Sequence, residues 1–186
     1  FLFKTDDSGN PIPVPHDEAT YFDISPIDCG ENCRRDICLT LEEMGYGVEA
    51  SHHELARGQH EIVLQYTDAL SLDKDGKNVF YNEKDPKRFS DTAYKFIAGL
   101  LKYTPDISCI TNPTVNSYKR FIPGFEAPCY ISWSEKNRSL LVRVPSCSGS
   151  NARIEYRSPD PTANPYLALA ACLKAGLRGI KDNIPL

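Results

Sequence analysis

The chain has 186 residues, 41% hydrophobic and 25% charged, with a formal net charge of −4. Such a composition belongs to one globular domain, or part of a larger one, with enough residues to bury a core. It excludes a general nucleic-acid binder, which needs a basic face, and no apolar run is long enough to cross a membrane. No signal peptide is visible. Seven cysteines (29, 33, 38, 109, 129, 147 and 172) are an odd number with no zinc spacing. They read as small buried thiols of a reducing cytoplasm.

Residues 5–20 are polar and proline-rich, as in a loop. Over 31–45, Cys33, Ile37, Leu41 and Met44 recur at helical spacing, and Gly45 and Gly47 mark a stop. The pattern predicts a helix buried along that stripe. Stretches 48–54 and 61–67 read as a hairpin turned around Arg57-Gly58. Residues 74–88 are polar, with an Asp75-Gly76 turn. Ser90 caps a predicted helix over 91–103, whose buried face is Ala93, Phe96, Ile97, Leu100 and Leu101. The stretch 111–128, with Asn112-Pro113, Pro123-Gly124 and Pro128, reads as a long irregular segment, a length that often carries function. Strands at 129–134, 139–144 and 152–157 follow. A last helix starts with Asn164 as cap and Pro165 at its first position and runs to about Lys181. Antiparallel strand groups with helices between them give an α+β fold.

Chemistry gathers in three places. Side chains alternate along a strand, so Arg153, Glu155 and Arg157 share one face, and Ile154 and Tyr156 the other. A carboxylate between two guanidiniums fits a site for a metal ion and anionic substrates; a surface charge ladder fits the same pattern. In the hairpin, the turn folds Glu54 and Glu61 toward one point, with His52 on the face of Glu54. With Glu155 they offer the oxygen-rich set that Mg²⁺ or Mn²⁺ takes, although a hairpin glutamate pair taken alone reads first as solvated charge. The arginines Arg120, Arg138, Arg143, Arg153 and Arg157 crowd the last third of the chain, and their forked donors suit phosphate and carboxylate. Arg143 sits in an apolar strand and needs a partner, either a structural carboxylate or a ligand anion. Gly124 and the prolines around it shape a loop that presents Glu126 as a base or a partner for a cation, or as an exposed loop carboxylate. There is no glycine-rich phosphate loop and no nucleophile elbow.

The motifs in order resemble type I glutamine synthetase. They are Val48-Glu49-Ala50-Ser51-His52-His53-Glu54, Gly58-Gln59-His60-Glu61, Asn112-Pro113-Thr114, Asn116-Ser117-Tyr118-Lys119-Arg120, Pro123-Gly124-Phe125-Glu126-Ala127-Pro128, Asn137-Arg138-Ser139, Arg153-Ile154-Glu155-Tyr156-Arg157 and Asp160-Pro161-Thr162-Ala163-Asn164-Pro165-Tyr166. That family makes glutamine from glutamate, ammonia and ATP through γ-glutamyl phosphate. The resemblance implies Glu54 and Glu61 as ligands of one divalent metal and Glu155 as a ligand of a second. It implies Arg120 and Arg157 for substrate glutamate, and Arg138, Arg143 and Arg153 for ATP phosphates, with Arg138 also catalytic. Glu49 and Tyr66 would line the nucleotide pocket. Glu126 would be a catalytic flap carboxylate that takes a proton from ammonium, on a lid that excludes water. The resemblance further implies a curved, mainly antiparallel sheet with flanking helices, whose concave face carries these residues, and a cytoplasmic homo-oligomer, a dodecamer. The alternatives are a relative that ligates glutamate to a polyamine, and an inactive fragment serving as a structural or binding module.

The chain also departs from that family. Residues 1–186 correspond to part of a catalytic domain. The amino-terminal domain, a central glycine-rich strand with a metal-binding histidine, and the carboxy-terminal segment are expected to be absent. The only methionine is Met44, and the opening Phe1-Leu2-Phe3 reads as the middle of a strand, as expected of a fragment.

Overall fold

A computed structural model describes residues 1–64, 73, 75–124, 127–135, 137–145 and 151–186. The fold is α+β, in two compact units, Phe1–Thr67 and Asp68–Leu186. The first unit opens with strands β1 (Phe3–Thr5), at the start read as a strand, and β2 (Pro11–Pro15), inside the stretch expected to be a loop; the two pair antiparallel. Asp6 makes the reversal possible, because its Oδ1 accepts from Ser8 N at 2.9 Å and Asn10 N at 2.8 Å. Helix α1 (Glu31–Glu43) ends where Gly45 adopts φ 90° and Tyr46 N donates to Leu41 O. The predicted buried stripe on α1 is not buried. Cys33, Ile37 and Met44 are exposed and Leu41 is half-buried. The residue that α1 buries is Arg34, which reaches the hairpin of β3 (Val48–His53) and β4 (His60–Leu64). The cysteines also differ from expectation. Among the six described, all free thiols, Cys29, Cys33 and Cys109 are exposed.

The second unit is built on helices α2 (Asp91–Thr111) and α4 (Pro165–Lys181). Ser90 caps α2 as predicted, accepting from Ala93 N at 3.1 Å and donating to Val79 O at 2.6 Å. The helix runs eight residues past the expected end, through Pro105. Tyr103 and Ile107 keep the apolar face on the core, and Thr104 Oγ1 donates to Leu100 O at 2.6 Å beside the proline. The core gathers Phe80, Phe89, Ala93, Phe96, Ile97, Leu100, Leu141, Val142, Val144 and Ala175. Inside the segment expected to be irregular lies a short helix, α3 (Val115–Lys119), fixed by a capping box between Thr114 and Ser117.

The strands β5 (Tyr130–Ser134), β6 (Leu140–Arg143) and β7 (Glu155–Tyr156) form one sheet in that order. β6 and β7 pair antiparallel, whereas β5 and β6 run parallel, which the sequence pattern did not indicate.

Candidate functional site

The hairpin of the first unit brings three ligand-type side chains together. His52 stands opposite Glu61 in the register, and Glu54 lies two residues on, on the same face. One donor atom from each of His52, Glu54 and Glu61 lies within 4.8 Å of the others, and the group reaches solvent. Two carboxylates and an imidazole, accessible and close together, fit a hard divalent cation. The turn between them is fixed by its backbone: Glu54 N donates to Gln59 O at 2.8 Å and Gln59 N to Ala56 O at 2.9 Å. Leu55 N donates to Glu54 Oε2 at 2.9 Å, which orients that carboxylate.

Behind this face lies a buried polar group of Asp17, Asp28, His53 and His60, whose ligand-type atoms also fall within 4.8 Å. It does not suit a cation, because the Arg34 guanidinium already sits there. Arg34 bonds Asp28 Oδ2 at 2.7 Å, His60 Nδ1 at 2.7 Å and Ser51 Oγ at 3.1 Å. Burial and the Arg34 charge lower the pKa of His60 and favour the neutral ring that accepts from Arg34. Between α1 and β3 opens a cleft of about 470 Å³. Phe22, Arg35, Glu49, Ser51 and His52 line it, and the Phe22 ring stacks on His52 with centroids 4.4 Å apart.

In the second unit, β7 pairs Glu155 with Arg143 in the register. Arg143 NH1 meets Glu155 Oε2 at 2.8 Å, and Arg157 NH1 meets Glu155 Oε1 at 3.4 Å. Ile154 and Tyr156 pack against the core, so the alternation holds, although the strand has two residues where six were expected. Arg143 thus has a carboxylate partner inside its apolar strand. Nearby, Arg120 NH2 donates to Asn112 Oδ1 at 3.0 Å and to Ser158 O, and Asp160 Oδ2 lies 3.8 Å from Arg120 Nε. Asn112 in turn donates to Thr111 Oγ1 and Ser158 Oγ, each at 3.0 Å. Burial lowers the Arg120 pKa, as does the Arg157 charge, against the pull of Asp160. Arg153 is half-buried, its NH1 donating to Asn151 O at 3.4 Å, and Arg138 is exposed on the turn before β6. Glu54 and Glu61 lie in the first unit, and Glu155 and the five arginines in the second. Glu126 and Tyr66 fall outside the described residues.

Several pairings in these networks carried no sequence signal. Asp17 stands in a loop-like stretch, 36 positions from its partner His53, and Asn112 lies 46 positions from Ser158. His52 was the most legible, since the His-x-Glu spacing puts it on the face of Glu54.

The comparisons with known proteins bear on family and fold. The catalytic domain of glutamine synthetase, as a family, matches residues 1–73 and 69–186. Relatives from Clostridium saccharobutylicum and Staphylococcus epidermidis, both named glutamine synthetase, are each 46% identical over 99% of this chain and 51% of their own length. One from Halobacterium salinarum, of the same name, is 46% identical over 98% of this chain and 50% of its length. The chain therefore spans about half the length of the curated relatives it matches. A solved glutamine synthetase of Plasmodium falciparum is similar with a TM-score of 0.83 and 30% identity, over 91% of this chain and 42% of that one. The chain belongs to the glutamine synthetase catalytic-domain family.

Proposed function

We propose that the protein containing this chain ligates ammonia to glutamate at the expense of ATP, through γ-glutamyl phosphate. The observation that carries this reading is the convergence of His52, Glu54 and Glu61 within 4.8 Å on one hairpin, in a chain of this family. Glu54 and Glu61 hold a divalent metal, Mg²⁺ or Mn²⁺, and Glu155 serves a second. When bound, such an ion supplies positive charge beside the phosphates. The side chains do the positioning. Arg120 and Arg157 hold glutamate, the first with its guanidinium already fixed by Asn112 and Ser158. Arg138, Arg143 and Arg153 face the phosphates of ATP, and Glu49 and Tyr66 line the nucleotide pocket. A γ-carboxylate oxygen of glutamate attacks the terminal phosphorus and ADP leaves. Ammonia then attacks the acyl carbon and phosphate leaves, while Glu126 takes the proton that ammonium must lose.

The cleft lined by Glu49 and His52 supports the nucleotide assignment. The alignments with relatives run over 227 positions against a chain of 186 residues, and the two family matches meet at 69–73. Both facts support the reading that a central segment of the relatives has no counterpart here. The whole protein is read as a cytoplasmic homo-oligomer, a dodecamer. Among the described residues no helix is long and apolar enough to cross a membrane.

The names of the relatives favour ammonia over a polyamine as acceptor, and an active ligase over an inactive module. Turnover by the whole protein separates these readings. With glutamate, ATP and Mg²⁺, ADP release should depend on ammonia, and glutamine should accumulate in step with it. A γ-glutamyl polyamine formed in preference would support the amine ligase. ATP left unconsumed with either acceptor would support the inactive module.

A further inference from the structure

We infer that Asp17 and His53 form a positioning pair that sets the geometry of the hairpin carboxylates Glu54 and Glu61. This inference rests on the reading of those two residues as metal ligands. The side chains of Asp17 and His53 are 1% and 0% exposed, and His53 Nε2 lies 3.0 Å from Asp17 Oδ1. On its other side, His53 Nδ1 lies 2.6 Å from the backbone carbonyl oxygen of Glu54. Each ring nitrogen thus faces an oxygen acceptor. The ring is a strut from the buried carboxylate to the residue that carries the first ligand.

Asp17 also grips the turn itself. Its Oδ1 accepts from Gly58 N at 3.1 Å, and its Oδ2 accepts from Cys29 N at 3.3 Å. Two of its three donors therefore lie on the stretch 53–59 that links one glutamate to the other. Gly58 is clamped from the opposite direction, because its carbonyl accepts from Leu2 N at 2.7 Å. Gly58 has φ +65°, and a Cβ there would meet Leu2 O at 2.5 Å, so the turn has no freedom to re-form around a larger residue. A buried carboxylate is costly unless its donors are in place. Here those donors define the path between the two ligands. Residues that orient metal ligands in this way alter metal affinity when they are changed.

The test is a Mn²⁺ titration of the full chain, followed by the electron paramagnetic resonance signal of free aqueous Mn²⁺. Binding abolished by Glu54→Gln is the hairpin's own. Asp17→Asn, folded by circular dichroism, should weaken that binding roughly tenfold or more. His53→Gln keeps a donor for Asp17 but loses the bond to the Glu54 carbonyl, and should weaken it similarly. Ser90→Ala, which removes a helix cap in the second unit, should leave Mn²⁺ affinity unchanged. If Asp17→Asn unfolds, His53→Gln decides by the same criterion. Wild-type affinity in the folded variants overturns the inference while the metal reading stands. A wild-type chain whose Mn²⁺ binding ignores Glu54→Gln overturns the metal reading, and this inference with it.

Discussion

In the proposed function Arg120 holds glutamate, and its surroundings fix it in place. Its NH2 is held by the Asn112 side chain and the Ser158 carbonyl, both on buried residues. Replacing Asn112 with Ala strands the donors and acceptors it now pairs, in a place water does not reach. The variant should lose about 1–3 kcal/mol of stability, measured by urea unfolding. In the whole protein it should also raise the Michaelis constant for glutamate, since the Arg120 guanidinium loses its Asn112 anchor. Arg157→Lys keeps the charge and removes the fork. It should raise the Michaelis constant for glutamate while leaving that for ATP in place; a change confined to ATP would reassign the residue. The charged alternation around Glu155 was legible because it is local: three residues at period two fix a face. The pairings of Asn112, Asp17 and His53 were not legible, because each depends on partners dozens of positions away.

At the scale of elements, the cap of α2, the hairpin and α4 were readable from Ser90, Arg57-Gly58 and Asn164-Pro165, since each is a short-range device. The errors arose where tertiary contacts overrode local pattern. The predicted helix stops at 103, yet α2 continues through Pro105 because its following turn still covers the core. The apolar stripe of α1 reads as buried, yet the helix turns Arg34 inward to a polar network. The glycines of the two long helices carry a contact that one sequence does not announce. A Cβ on Gly179 would come 2.1 Å from Lys95 O, and one on Gly99 would come 2.3 Å from Ala175 O. Both clashes are with backbone, so α2 and α4 would have to separate. Gly179→Ala, although it raises helix propensity, should destabilise the second unit by roughly 1–3 kcal/mol. A lowered thermal midpoint would show it, and an unchanged or raised one would refute the close approach.

At the scale of the whole molecule, buried carboxylates set the response to acid. Burial alone would raise the pKa of Asp17, but hydrogen bonds from His53, Gly58 and Cys29 and the nearby His53 charge hold it below its ordinary 3.8. Asp28 is held below the same value by Arg34 and Gly30 against the same burial effect. A carboxylate whose folded pKa is depressed contributes stability above its unfolded pKa and loses it as pH falls through the folded value. Acid unfolding of the first unit should therefore set in below pH 3.8 and move toward neutrality in Asp28→Asn, which leaves Arg34 buried without its partner. Tryptophan would not report it, since the one Trp, Trp133, belongs to the second unit. The histidine signals of residues 53 and 60 would.

In the proposed function the hairpin glutamates Glu54 and Glu61 serve glutamine synthesis. The direct measurement is glutamine formation by the whole protein as Mn²⁺ is varied, for the wild type and for Glu61→Gln. The variant keeps the shape of the side chain and loses the charge. Its half-saturating Mn²⁺ concentration should rise by at least about tenfold, with a lower rate at saturation. Identical rates and identical Mn²⁺ dependence in the two proteins would contradict the account.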